Sequence, residues 1–493
     1  MANDKTEYRD ESHITEASDV DQSKVPSAIK KLSTWIRQKM YGEDVRESIA
    51  RGIEKSGEVA QKAVDISVDT SNRQDNVDQS QKDFEDRYNN QIAGNTDLNE
   101  VIDARKPAGG EAYQTLGKRL DTLQVANDID IDDELISGGY VKPFFETEIA
   151  RVKAELKPDL FTIGFMTDNH WETADRDKPY GSYSLNHIKN LLAFSDSADL
   201  LMLNGDNVNL DNVDLNVGKH ETETLVSVFL DEPIDGDVDR FIQLGNHDDG
   251  STRRRFKAKN FLAQDEYLHD DYFKEVYRTN ESQGEVRNND SLYFYKDYPD
   301  AKIRLISLNT SDIIEGELDA SGSQKWDRWG TLAVRQEQLN WFANVALMNV
   351  PTDYQIIVTS HCPLDATYLY ANDISRYWNM DIVAGVLAAA NNGTSYTGTS
   401  TGGQYPVAVS VDYTDQGSRP VIGNFGGHFH TEWIHDYLGL KIVEVNRSLV
   451  DDAKKSSIGT AQEDMFDVIQ VDTANRHVYI YGFGGSTDRG YDY

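Results

Sequence analysis

Asp168, His170, Asp206, Asn246, His247, Asp248, His361, His428 and His430 are the residues of this chain whose types and spacing suit chemistry. They follow short apolar runs: LFTIGFMTDNHW, DLLMLNGDNVN, RFIQLGNHDD, YQIIVTSHCP and RPVIGNFGGHFH. Five of the 11 histidines stand in such places, and a strand that ends in imidazoles and carboxylates makes a poor core and a good site. GNHD sets a neutral amide oxygen, an imidazole and a carboxylate side by side. That trio suits a metal ligand, a proton carrier in His247 and a group, Asp248, that fixes its tautomer. An ordinary Asn/Asp/Gly turn has the same composition, so the motif gains its meaning from the other strand ends. In DNH and HFH two such residues alternate, which predicts that both project to one side of an extended chain. Imidazole and oxygen ligands without thiolate suit divalent ions of the Mn, Fe, Zn or Ni type.

The elements that must position these residues read as buried strands alternating with helices. IRLISLNTSD is a further strand, and residues 184–194 and 335–348 have the period of amphipathic helices. The pattern predicts an α/β domain over residues 158–493 with its site at the carboxyl ends of the strands. The C-terminal MFDVIQVDTANRHVYIYGFGG predicts two hairpin strands around Thr473, Ala474 and Asn475.

Composition narrows the classes of function. A formal net charge of −35 opposes nucleic-acid binding through a broad basic face. A phosphate-rich substrate then needs metals or a local basic patch to reverse the field. Arg253, Arg254 and Arg255, just after GNHDDGST, are the candidates for that patch. No run approaches the roughly 20 apolar residues of a membrane span, so none is expected. The acidic, polar N-terminus is unlike a signal peptide, which predicts synthesis in a cytoplasm. The single cysteine, Cys362, excludes an intrachain disulfide and is expected as a small buried residue.

Upstream the chain changes character. Residues 1–24 are expected to be an extended or disordered tail. Pro26 and Ser27 open a helical pattern with Ile29, Leu32, Ile36 and Met40 on one face; a second carries Val45, Ile49 and Ile53. From residue 60 to 95 the apolar positions are too sparse for a self-sufficient core, which predicts a long helix packed against copies of itself. Residues 123–157, with the acidic NDIDIDDE, read as a linker lacking the spacing of a calcium loop. VPSAIKKLSTWIRQKMYGEDVRESIARGIEKSG and QIAGNTDLNEVIDARKPAGGEAYQTLGKRLD resemble the N-terminal region of tail and baseplate proteins from phages of Gram-positive bacteria. The resemblance spans residues 25–122. It implies a helical region that attaches the chain to other tail or baseplate proteins in the virion, as a homo-oligomer.

The succession DxH, GD, GNHD, H and GHxH resembles the signature of calcineurin-like metallophosphoesterases, with every block present. The resemblance implies two facing mixed β-sheets flanked by helices, with a dimetal site at their edge. Carried over, Asp168, His170 and His430 hold one ion, Asn246, His361 and His428 the second, and Asp206 bridges both. His247 sits over the phosphorus and protonates the leaving alkoxide. Purple acid phosphatases have a tyrosine where this chain has Asn209, so a tyrosinate-bound ferric ion is not expected. Together the two resemblances predict a tail-associated phosphodiesterase, acting at the host surface on a phosphate-containing wall polymer such as teichoic acid. The metal motifs are shared with phosphomonoesterases and nucleotide phosphodiesterases, and a non-catalytic receptor-binding tail protein is a further alternative. The long loops rich in Tyr, Asn, Gly and Thr around Tyr368, Tyr370, Tyr377, Trp378 and residues 391–405 carry no assigned roles.

Overall fold

The computed structural model describes residues 19–39, 47, 49–62, 138–173, 178, 180–211, 214–252, 262–373, 376–400 and 405–493. The chain divides into two compact units, Met1–Ile129 and Asp130–Tyr493.

The first unit contains α1 (Ser27–Lys39) and a helix over residues 49–62. The apolar face predicted for α1 is only partly the face it buries: Ile29 and Ile36 are half-buried, with Ile29 against Gly57. Leu32 and Trp35 are exposed, whereas Ser33 and Glu54 are buried. Arg37 explains the difference: its guanidinium donates to both Glu54 oxygens at 2.7 and 2.9 Å, and Ser33 donates to the same carboxylate. Arg37 holds the Glu54 carboxyl down at about 2, so a paired charge takes the contact that an apolar stripe was expected to fill. Met40, Val45, residues 63–122 and the acidic linker sequence lie outside the described residues.

The second unit is a sandwich of two mixed sheets. The first holds β1 (Phe161–Met166), β2 (Leu200–Asn204), β3 (Asp239–Gln243), β15 (Met465–Asp472), β16 (His477–Gly484) and β17 (Arg489–Asp492), in the order β17-β16-β15-β1-β2-β3. The second holds β4 (Val286–Arg287), β5 (Phe294–Tyr298), β6 (Ile303–Leu308), β8 (Gln355–Ser360), β12 (Val421–Gly426), β13 (Trp433–Tyr437) and β14 (Leu440–Glu444), in the order β13-β14-β12-β8-β6-β5-β4. Two short pairings complete the set: β7 (Leu332–Ala333) with β9 (Tyr377–Trp378), and β10 (Ser395–Thr399) with β11 (Ala408–Asp412). The six apolar runs that end in polar residues form β1, β2, β3, β6, β8 and β12. β1, β6 and β12 are buried at every residue, which is why they read as continuous apolar runs rather than alternating ones.

Between the sheets, Ile163, Phe165 and Met202 from one meet Leu305, Ile357 and Phe425 from the other. The outer face of the first sheet is covered by α2 (Pro143–Glu155), α3 (Ser184–Leu192), α4 (Leu215–Leu230) and α5 (Asp270–Val276). The second is covered by α6 (Gln336–Trp341), which widens into a π turn over Phe342–Ala346, and by α7 (Ala366–Asp373) and α8 (Met380–Asn392). α2 lies inside the stretch read as a linker. Pro143 occupies its first turn, Phe145 and Val152 are buried, and Arg151 donates to the Gly482 carbonyl at 2.6 Å. No described helix is long and apolar enough to cross a membrane.

The sheets are also stitched together at one end. Gln243 at the end of β3 donates to Ser307 Oγ at 2.7 Å and to the Thr359 carbonyl at 3.1 Å. Asn204 at the end of β2 donates to the Ser360 carbonyl at 3.2 Å.

Candidate metal centre

Strand register brings the site together. Met166 pairs with Leu203 and Asn204 with Gln243, so β1, β2 and β3 end in step and their loops start side by side. The loops are then pinned to one another. Asp168 N–H donates to the Gly205 carbonyl at 3.0 Å, His170 N–H to the Asp206 carbonyl at 2.8 Å, and His247 N–H to Asp206 Oδ1 at 2.7 Å. From the other sheet, Gly427 N–H donates to the His361 carbonyl at 2.8 Å and His428 N–H to Asp168 Oδ2 at 2.9 Å.

This packing explains two motif glycines. A Cβ on Gly245 would collide with the backbone nitrogen and carboxylate of Asp206, and one on Gly427 with Thr167 and the Asp168 carboxylate. The loops approach too closely for any side chain.

DNH and HFH are not extended. Asp168, His170, Asp206, His428 and His430 all have positive φ, at 52°, 47°, 48°, 82° and 57°. All five backbones sit in the left-handed region, which costs a non-glycine residue of order 1–3 kcal/mol. The loop hydrogen bonds above hold them there.

The candidate ligands fall into two groups. Asp168, His170 and His430 form one and Asp206, His361 and His428 the other, with the ligand atoms of each within 4.8 Å of one another. In the first, His430 Nε2 lies 3.2 Å from Asp168 Oδ1 and 3.2 Å from His170 Nε2. Asp206 Oδ2 faces both groups, 3.6 Å from His170 Nε2 and 3.2 Å from His361 Nε2. His361 Nδ1 is taken by the Asn204 carbonyl at 2.8 Å, and His428 Nε2 shares a 3.1 Å hydrogen bond with the Tyr377 hydroxyl. Each leaves its other nitrogen for an ion.

Orphaned polar atoms test the fit to metal. Asp168 Oδ1, His361 Nε2, His428 Nδ1 and both amide atoms of Asn246 are buried without a hydrogen-bond partner. Buried polar atoms are rarely left unmatched, and this concentration of acceptors from four loops, with the Asn246 oxygen among them, fits cations.

The fields point the same way. Burial works against charge on His361, but Asp206 beside it lifts the imidazole to about 9. Burial, and the Arg376 charge, keep His428 neutral, well below the usual histidine range. The Asp206 carboxylate stays far below its ordinary range because His361 and His247 outweigh its burial.

Asp248 does not touch the ring of His247. Its Oδ1 accepts the N–H groups of Asn207 and Val208 at 2.7 and 3.0 Å; Oδ2 accepts those of Gly245 at 2.7 Å and Asn207 Nδ2 at 3.2 Å. It ties the second loop to the third, and with its oxygens so occupied it cannot orient an imidazole. Asp211 does: His247 Nδ1 donates to Asp211 Oδ1 at 2.8 Å. Burial opposes charge on His247, yet Asp211 and Asp206 together raise its pKa above the ordinary value. Asp211 is the functional residue missed in the sequence, and its signal was a second carboxylate in the GDNVNLD loop. Asn209 donates to Glu172 Oε2 at 2.9 Å, and Cys362 is fully buried. Arg253, Arg254 and Arg255 lie outside the described residues.

Residues 161–393 match the family described as calcineurin-like phosphoesterase. The chain carries a calcineurin-like metallophosphoesterase domain. The match stops before β12, yet the phosphoesterase sandwich extends past it, and His428 and His430 come from beyond its end. Among solved structures, a dimetal phosphatase from Danio rerio is 14% identical, covering 68% of this chain and 99% of that one with a TM-score of 0.43. A single mutant of Vps29 from Entamoeba histolytica is 9% identical, with the same coverages and a TM-score of 0.22. No curated protein matches the chain.

The metallophosphoesterase domain is thus a metal-dependent phosphoric ester hydrolase with a dinuclear divalent centre. Bound ions supply Lewis acidity at the phosphoryl oxygens and an activated water. The protein's own part is to hold Asp206 between the two groups and, through Asp211, to fix the tautomer and orientation of the His247 ring.

Proposed function

We propose that this chain is a virion-borne dimetal phosphodiesterase. In this reading its N-terminal helical region docks it, as a homo-oligomer, to other proteins of a phage tail or baseplate. Its phosphoesterase domain then hydrolyses phosphodiester bonds of a host wall polymer, teichoic acid, during adsorption. Asp168, His170 and His430 hold one ion, Asn246, His361 and His428 the other, and Asp206 bridges them. The reading is carried by one conjunction: a full set of inward-facing ligands, sharing Asp206 Oδ2, in a chain whose residues 25–122 resemble tail and baseplate proteins. A strongly acidic protein also has no broad basic face for nucleic acid, and the wall polymer is the abundant phosphodiester outside a Gram-positive cell.

The test is incubation of the purified full chain with isolated host teichoic acid and Mn, with and without chelator, followed by identification of the fragments. Glycerol- or ribitol-phosphate fragments that vanish with chelator and with Asp206→Asn support the reading. Equal turnover by Asp206→Asn overturns the catalytic part. Hydrolysis confined to simple monoesters or nucleotides replaces the wall substrate. Absence of the protein from purified particles removes the virion role.

A further inference from the structure

Most arginines of this acidic domain are tied to a carboxylate or a carbonyl. Arg304 pairs with Asp297, Arg489 with Asp467, and Arg328 with Asp249, Asp270 and Glu315. Arg376 is different. No carboxylate or carbonyl among the described residues pairs with its guanidinium, and its Nε is buried without a hydrogen-bond partner. The group lies instead on the Trp329 ring, 4.5 Å from its centroid, and 5.7 Å from that of Tyr377.

The backbone fixes this stack. The Arg376 carbonyl accepts the Leu332 N–H at 2.9 Å, and the next residues pair Leu332 with Tyr377 and Ala333 with Trp378. The loop that carries Trp329 is thereby clamped to the loop that carries Arg376. Tyr377 then reaches the metal centre directly, its hydroxyl 3.1 Å from His428 Nε2. The Arg376 charge is felt at that imidazole.

We propose that Arg376, held over Trp329 beside the His428–Tyr377 corner, is the cation that holds a phosphoryl oxygen of the substrate. The proposal rests on the phosphoester reading of the centre and adds the residue that recognises the anion. In a chain of net charge −35 an unpaired cation beside the centre adds to the field of the ions in favouring a phosphate substrate. A guanidinium held by a ring keeps its donor edge unspent and already oriented, so little side-chain freedom is lost on binding. The placement also divides labour. Arg376 stands on the side of His428, whereas His247 packs edge-on against His170, with ring centroids 4.8 Å apart. Phosphoryl oxygens are held on one side of the centre and the leaving oxygen is protonated on the other.

The probe is inorganic phosphate, titrated calorimetrically into the full chain loaded with Mn. Arg376→Met is expected to weaken phosphate binding about tenfold and to raise KM for a model diester by a similar factor, with metal content and Tm unchanged. Arg376→Lys keeps the charge but loses the planar fork and falls between the two. Trp329→Leu, which removes the platform and leaves the cation, also weakens phosphate binding, by less than Arg376→Met. A phosphate Kd for Arg376→Met within twofold of the parent overturns the proposal. So does loss of bound metal in that variant, because Arg376 would then be a support for His428. If the parent binds phosphate through Arg376 but leaves teichoic acid intact, the wall-polymer reading fails and this inference stands.

Discussion

His247 is oriented by Asp211, whose Oδ1 lies 2.8 Å from its Nδ1, and not by its neighbour Asp248. The pair is buried, and each partner favours the other's charged form. Asp211→Asn leaves the ring without its acceptor charge. Turnover of an ester with a poor alkoxide leaving group is expected to fall about 10- to 100-fold, and that of a nitrophenyl ester much less. Steady-state kinetics on the two esters, with metal content measured alongside, check this. An equal loss on both would show that Asp211 serves the centre as a whole.

Asp248 has a mechanical role. Its two oxygens gather the N–H groups of Asn207, Val208 and Gly245 and the Asn207 amide. Asp248→Ala strands those donors in a buried place, and a loss of about 2–4 kcal/mol is expected. Denaturant unfolding of the chelated protein measures it without interference from bound metal.

Metal uptake is expected to release protons. In the metal-free protein Asp206 holds His361 near pKa 9, so at neutral pH the ring carries a proton that an ion must displace. Affinity therefore falls as pH falls, and about one proton leaves on loading at pH 7. Calorimetry in two buffers of different ionisation enthalpy reads the number; identical heats would contradict the assignment.

Away from the centre, the buried Arg328 cluster predicts an unusual pH response. Burial, with Glu315 and Asp312 nearby, lifts the Asp270 carboxyl to about 6 despite Arg328. The folded protein thus binds this proton more tightly than the unfolded chain, whose value is 3.8. Asp270 then subtracts stability as pH rises from about 4 to 6, and restores it on acidification. Asp270→Asn removes that dependence, so the Tm difference between variant and parent shifts in the variant's favour from pH 4 to about pH 6 and then levels, on top of a constant loss from the broken Arg328 contact. Thermal scans across that range check the sign.

The strands that bear the ligands were legible because full burial on both faces writes itself as unbroken apolar runs, each ended by a polar turn. The residues of the two clustered groups were legible for the same reason. What these patterns do not carry is backbone handedness: DNH and HFH look like alternating strand sequence, yet left-handed residues at Asp168, His170, His428 and His430 do the aiming. Asp211 was hidden because it reaches His247 across two loops. Ser33 and Glu54 were hidden because a buried ion pair leaves no apolar trace.

Asn204 bonded to the Ser360 carbonyl, and His361 bonded to the Asn204 carbonyl, place the seam between the two sheets at the very residues that surround the ions. Metals bound there would act as rivets as well as reagents, since the two candidate groups draw on both halves of the sandwich. Chelation is then expected to open a mechanical joint and to leave the stripped enzyme more sensitive to protease. Loss of chemistry and loss of durability are one event.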